Sequence, residues 1–498
     1  MNSLEKLRRH FSYYLNKIIL IAIGMLCLFY SLYKARFAEL HINISFLDFP
    51  IFIGEIILGI CTLLFIIRLF LTNTKSFKNT ETAQKPSAEA LSGFDLSPQK
   101  AWIIIFFVFV LFKALYGYSK WGPLAFRNAA LFYYVFFAVL TYYAFNLKFF
   151  KAKLIRYTLL ALFLSIIFLM LPRASVYYYF DYCVFILLFS SYFKPKIFKY
   201  IFIVLVVCFS CIFLTLLTNG RDVLLSTLVS YIFLVTIWLV YFLKINAKYK
   251  IIFIVSIVSI IGFLFLKFSD KVTFRSIFNF KQHLSAYRKS VERVEDKKYF
   301  EPLPSHVRLY HPEDEVKELF GTTTLPKSAN DKKIIGFISK YFPTYKTFQS
   351  KIDRSLPEAQ ENVVWRLLIW KDMLEELFEN KNVLGLDFGK PFRSINAQAM
   401  GLSSGGWVGW IEPHNSYVHI LYRAGIIGLL FIVALWGLFI RIFVRFVRNR
   451  NIKGILLSSA VFYWLVISNF SVILEVPYFA IPFWSLLGIT YGYYKQTL

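Results

Sequence analysis

Cysteine is scarce in this chain, and none of it is placed for chemistry. All five cysteines (Cys27, Cys61, Cys183, Cys208 and Cys211) fall in apolar runs. That gives no disulfide framework and no zinc-ligand spacing. Cys208 and Cys211 form a CxxC, but in the middle of a hydrophobic stretch, where packing explains them better than redox chemistry. Acid is scarce too: 29 Asp and Glu stand against 56 Lys and Arg, a net charge of +27. Such basicity often signals nucleic acid. Here most of the excess sits in short connections between apolar runs, where the positive-inside rule puts it. No nucleic-acid partner is expected. A small-residue cleavage site is also missing after the first apolar run, Ile18 to Tyr33, so a retained span is expected rather than a cleaved signal peptide. There is no clear internal repeat, and no DxD-like acidic cluster in a position suited to a metal.

What the chain has in abundance is apolar surface. Hydrophobic residues make up 58% of it and aromatics 20%, which points to an integral membrane protein. A spanning helix needs roughly 20 apolar residues. By that measure the fold class is an all-α polytopic membrane protein with about 12 transmembrane helices and a large loop subdomain, periplasmic if the resemblance drawn below holds. The expected span cores are 18–33, 50–71, 101–116, 128–146, 155–171, 175–193, 200–217, 223–243, 250–266, 416–440, 455–473 and 478–494. Lys and Arg concentrate in alternate connections, for example Lys148/Lys151/Lys153 and Arg441/Arg445/Arg448/Arg450. Both termini are therefore expected in the cytoplasm.

Three parts follow. Residues 1–266 hold nine helices and a flexible cytoplasmic loop at 72–100. Residues 267–413 form an insert on the far side of the membrane, carrying most of the protein's acids and nearly balanced in charge. Residues 414–498 hold the last three helices. The insert is long for a structureless loop, so a small folded subdomain is expected. Its clearest helix is "EAQENVVWRLLIWKDMLEELFEN", with Val363, Leu367, Trp370, Leu374 and Leu377 as an apolar stripe. "KNVLGLDFGKPF" after it reads as a turn and a short extended piece.

Candidate functional residues gather on that outer face. Arg221, in the turn "TNGRD", stands at a helix start. Arg366 lies on the amphipathic helix beside Trp365 and Trp370, with no acid three or four residues away. A guanidinium fork suits phosphate, since it donates in pairs and stays charged. The plainer alternatives are a snorkelling arginine and an ordinary surface charge. Arg127 and Arg173 are weaker candidates of the same kind. His414 precedes the tenth span in "EPHNSYVHILYRAGIIG". His414, Val418, Leu421, Gly425 and Gly428 fall on one helical stripe, and the two glycines let a neighbouring backbone approach it. A helix N-terminus disfavours the imidazolium, leaving a neutral ring able to act as a base. The plainer alternative is an interfacial histidine bonded to backbone. His419 lies off the stripe, and there the plainer reading is preferred.

"HN", nine residues, then "GIIG" resembles H-[NSQ]-x9-G-x-x-[GTY], the signature of the O-antigen ligases within the larger ligase and polymerase family. That family also has about 12 spans, a large periplasmic loop before the late helices, outer-face arginines and a loop segment like "VLGLDFG". The resemblance covers the topology from Trp102 onward, whereas about 275–350 matches nothing recognisable. It implies a metal-independent, inverting glycosyltransferase of the bacterial inner membrane with a periplasmic active site and no cofactor. The donor would be a glycan on undecaprenyl diphosphate, and the acceptor lipid A–core or another glycan. Arg221 and Arg366 would hold the diphosphate, and His414 would take the acceptor proton. A polymerase or a protein O-oligosaccharyltransferase would use the same residues. A transporter is the alternative from a different class.

Overall fold

The computed structural model of the protein describes residues 3–38, 40–44, 49–73, 98–122, 124–146, 176–190, 221–242, 358–379, 381–390, 392 and 413–497. The spans expected at 155–171, 200–217 and 250–266 lie outside the described residues, as do Arg173 and the insert between 267 and 357. Each of the other expected spans overlaps a helix. In chain order these are α1 (Ser3–Tyr33), the short α2 (Ala35–Ala38), α3 (Ile53–Asn73), α4 (Pro98–Trp121), α5 (Leu124–Tyr133) and α6 (Val135–Ala144). After a 3-10 turn at Val176–Tyr178 come α7 (Tyr179–Ser190), α8 (Arg221–Phe242), α9 (Glu358–Glu379), α10 (Ser416–Arg448), α11 (Ile452–Ile467) and α12 (Pro477–Thr497).

Among the described residues, four stretches are long and apolar enough to cross a membrane: His10–Tyr33, Ile53–Leu71, Ala125–Ala144 and Ser416–Arg448. By length and composition this is an α-helical membrane protein. Among the described residues, one feature departs from all-α. β1 (His41–Ile44) and β2 (Phe49–Phe52) form an antiparallel hairpin, pairing Ile42 with Ile51 and Asn43 with Pro50. The run expected at 50–71 thus begins as a strand and turns helical at Ile53.

Small residues set the closest helix contacts. Gly488 and Gly492 of α12 sit one turn apart. A Cβ on the first would overlap Thr141 Oγ1 and the Ala138 carbonyl, and one on the second would press on Phe145. α12 therefore lies against α6 almost backbone to backbone, as small-xxx-small pairs allow in a bilayer. Thr141 adds a hydrogen bond to the Ser485 carbonyl at 3.2 Å. α11 is buried nearly all round, from Ile455 to Ile467, and its Trp464 donates to Asp181 of α7 at 2.7 Å.

α10 does not run unbroken. Gly425 has φ 54° and ψ −131°, outside helical geometry, and the helix restarts after it. A break frees amides and carbonyls that a membrane interior cannot hydrate. Here the chain's own loop satisfies them. Residues 381–390 are a run of turns rather than the extended piece expected. Val383 accepts from the Ile426 amide at 2.8 Å, and the Leu386 amide donates to the Tyr422 carbonyl at 2.8 Å. Lys113 of α4 lies beneath, its ammonium donating to the carbonyls of Leu384 (2.8 Å), Gly385 (3.0 Å), Leu386 (3.0 Å) and Arg423 (2.6 Å). Gly385 faces Gly425 with almost no space between the backbones. The close approach at Gly425 is therefore made by this loop rather than by a neighbouring helix. Gly428 meets the Ile420 carbonyl of its own helix, because the bend brings the two together.

The stripe on α9 is also rotated from the expected one. Ile369 and Met373 are buried against Leu386, Phe392 and Tyr422, with Trp370 packed beside them; of the expected stripe Leu377 is buried, while Leu367 and Leu374 are half-buried. The polar bonds made by α9 fix this rotation. Tyr422 donates to Glu376 at 2.6 Å, and Trp370 donates to the Pro413 carbonyl at 2.6 Å.

Gly425→Ala should lower the thermal midpoint of the detergent-solubilised protein, at a cost of about 3 kcal/mol. The new Cβ is forced into the Val383 carbonyl at a left-handed φ. Gly437→Ala is the internal control, since its Cβ would meet nothing within 4 Å. Equal midpoints for the two variants would show that the loop does not close on the break.

Candidate functional site

Asn415 begins α10 by accepting from the amides of Tyr417 (3.0 Å) and Val418 (3.1 Å). This is the capping geometry that short polar side chains favour. Ser416 then ties the helix start to the turn between α11 and α12. Its amide donates to the Ser468 carbonyl (2.8 Å), its hydroxyl to the Ser471 carbonyl (3.1 Å), and the hydroxyl oxygen accepts from the Leu474 amide (3.1 Å). His414 sits just before this clamp, half-buried, at φ 47°. A left-handed φ is uncommon outside glycine, and strain held in place by its surroundings is typical of functional positions.

Arg366 comes to the same region. Its Nη1 donates to the Phe470 carbonyl at 3.1 Å. One turn further along α9, Trp370 reaches Pro413, the residue before His414. So α9 carries Arg366 to the head of α10 and to the α11–α12 turn. Arg221 is the first residue of α8, and its side chain lies outside the described set. Arg127 faces inward, with its Nε 3.5 Å from Glu475 Oε1. Glu475 thus accounts for that charge within the protein. The expected stripe through His414, Val418, Leu421, Gly425 and Gly428 is not one continuous helical face. His414 precedes the cap, and the helix breaks at Gly425.

Beneath His414 lies a charge cluster that sequence reasoning did not assemble. His419 Nδ1 is 3.0 Å from Glu475 Oε2, with both side chains buried. Arg423 Nε donates to His419 Nε2 at 3.4 Å, and its Nη1 donates to the Asp387 carbonyl at 2.8 Å. A guanidinium has no acceptor to offer. His419 Nε2 must then be unprotonated, and the ring proton sits on Nδ1, facing Glu475. His419 and Arg423 are four residues apart on α10, and Glu475 is a lone acid between two apolar runs. Those signals were legible, but nothing in the sequence put them in one place.

Burial alone would raise the Glu475 pKa. The neighbouring His419 and the Arg127 and Arg423 guanidiniums outweigh it and hold the carboxyl below its ordinary value. Asp387 is likewise pulled down against partial burial, by bonds from Lys120 (3.0 Å) and Trp121 (3.3 Å). Among the described residues, no group of His, Cys, Asp and Glu could hold a metal ion.

The chain matches no protein-family model and no curated protein.

A carboxylate with a depressed folded pKa stabilises the protein above its unfolded pKa, about 4.3 for Glu. That contribution is lost as pH falls through the folded value. Glu475→Gln should therefore cost about 3 kcal/mol at pH 7, where it leaves two arginines uncompensated. The variant's thermal midpoint should also fall less steeply than the wild type's between pH 5 and pH 3. Parallel curves for the two proteins would show that Glu475 is not ionised in the folded state.

Proposed function

We propose that this protein is an O-antigen ligase-like glycosyltransferase, moving a glycan from undecaprenyl diphosphate to lipid A–core at the periplasmic face of the bacterial inner membrane. The reading carries with it about 12 spans, cytoplasmic termini and a periplasmic subdomain over 267–413. The observation that supports it best is the setting of His414. The residue that opens the "HN…GIIG" pattern stands in a left-handed conformation at a clamped helix start, with the Arg366 helix docked beside it.

The chemistry follows from the groups involved. An acceptor hydroxyl attacks the anomeric carbon of the donor sugar as His414 takes its proton. The bond from that carbon to the diphosphate oxygen breaks, the configuration inverts, and undecaprenyl diphosphate leaves. The departing diphosphate carries developing negative charge, which fixed cations stabilise better than water does. Arg366 and Arg221 are the residues assigned to it. The cluster of His419, Glu475, Arg423 and Arg127 acts one layer below, holding the head of α10 in register with the α11–α12 turn.

A transporter fits less well. Broken helices in transporters expose backbone groups to a substrate or ion. The break at Gly425 is instead filled by Val383, Leu386 and the Lys113 ammonium, so it offers no vacant coordination.

The deciding experiment is a lipopolysaccharide gel from cells lacking this gene, complemented with wild type or with His414→Asn. Asparagine tolerates a left-handed φ, so the variant should fold with an unchanged midpoint yet leave the glycan ladder missing and lipid-linked chains accumulating. A normal ladder would remove His414 from the chemistry. A core bearing a single repeat would identify a polymerase, and an unaltered ladder in the deletion strain would point to another acceptor class. Arg366→Lys should reduce transfer by on the order of 100-fold, because an ammonium cannot make the bidentate contact. Transfer at the wild-type rate would return Arg366 to a surface role.

A further inference from the structure

The far end of α10 holds a second feature that the transfer reaction does not use. Arg441, Arg445 and Arg448 recur at four and three residues, so they share one face of the helix. With Ile440 and Val444 of α10 and Tyr494 and Lys495 of α12, they line a cavity of about 620 Å³. Arg441 lies about 24 Å past the Gly425 break at 1.5 Å per residue, well away from His414. Among the described residues, no acidic side chain pairs with any of the three arginines. Lys495 lies over the Tyr491 and Tyr494 rings, 5.6 Å and 5.9 Å from their centroids.

Positive-inside loops accumulate basic residues without building sites. This arrangement differs in two ways. The charges converge from two helices on one concave space, and arginine fills all three α10 positions, which suits phosphate forks. The cavity also opens onto an apolar track. Leu430, Val433, Ile440 and Val444 are exposed along α10 at 57%, 59%, 52% and 37%. A Cβ added at Gly437, between them, would meet nothing within 4 Å. Concentrated cationic charge at one end of a lipid-facing apolar groove matches a single chemical class: an anionic phospholipid, headgroup on the arginines and acyl chain along α10.

We propose that the α10–α12 groove is a binding site for an anionic phospholipid, in the leaflet that faces the C-terminus. It requires only that the chain spans a membrane, and it stands or falls separately from the transferase reading. The test uses the purified full-length protein in neutral detergent, titrated with phosphatidylglycerol, phosphatidylcholine or inorganic phosphate and followed by thermal midpoint and native mass spectrometry. Phosphatidylglycerol should bind and raise the midpoint, and phosphatidylcholine should not. The triple variant Arg441→Gln, Arg445→Gln, Arg448→Gln should bind on the order of 100-fold more weakly. Arg450→Gln with Lys453→Gln, outside the cavity, should leave binding as in wild type. If the triple variant fails to fold, the all-lysine version keeps the charge and should still bind about fivefold more weakly, since it loses the forks. Equal losses in the groove and control variants would overturn the proposal in favour of diffuse charge attraction. An equal shift with inorganic phosphate would overturn it in favour of a soluble-anion site.

Discussion

The rest of the described structure depends on how one helix is allowed to break. α10 stops being helical at Gly425, in a segment apolar enough to cross a membrane, where an unsatisfied amide or carbonyl costs several kcal/mol. The loop at 381–390 meets that demand by lying directly on the break, and Lys113 closes the arrangement from below. A buried ammonium is itself costly unless its donors are used. Here it reaches four carbonyls, with the Phe109 and Phe388 rings also near it. Each partner thus removes the other's penalty, and α4, α10 and the loop that follows α9 become one unit.

That unit holds the site. The loop seats Asp387 over Arg423, Arg423 turns to His419, and His419 faces Glu475. Gly389 donates to Asn128 of α5, and Phe388 stacks on Phe132. The head of α10 is therefore fixed from three directions, by the loop, by α5 and by the α11–α12 turn. A histidine just outside a helix that is held this firmly can keep an unfavourable backbone angle. The cost of the strain falls on the surrounding contacts rather than on the histidine's position.

Much of this was readable in advance, and the limits are physical. Apolar run length finds helices because hydrocarbon thickness sets it, and the described helices long enough to span a membrane lie on expected runs. The close backbone approach at Gly425 follows from residue type alone. The stripe through His414 and Gly428 did not survive, because helical periodicity assumes an unbroken helix. The role of His419 is equally hidden from periodicity: its partner, Glu475, lies in the connection between two other helices and leaves no periodic trace. Lys113 is a lone lysine in an apolar run, and nothing local tells a carbonyl cage from a snorkelling side chain.

The sequence by itself determined the class of solvent this protein folds in, which stretches become its long apolar helices and the residue types they carry. Those are properties of short stretches, governed by hydrophobic length, capping chemistry and charge. Only the tertiary structure decided which charges are buried together, which backbone fills the break at Gly425 and which face of α9 turns inward. Each of those depends on contacts between residues far apart in the chain, such as Lys113 with Arg423 or Arg366 with Phe470, and such pairings have no signature until the chain has folded.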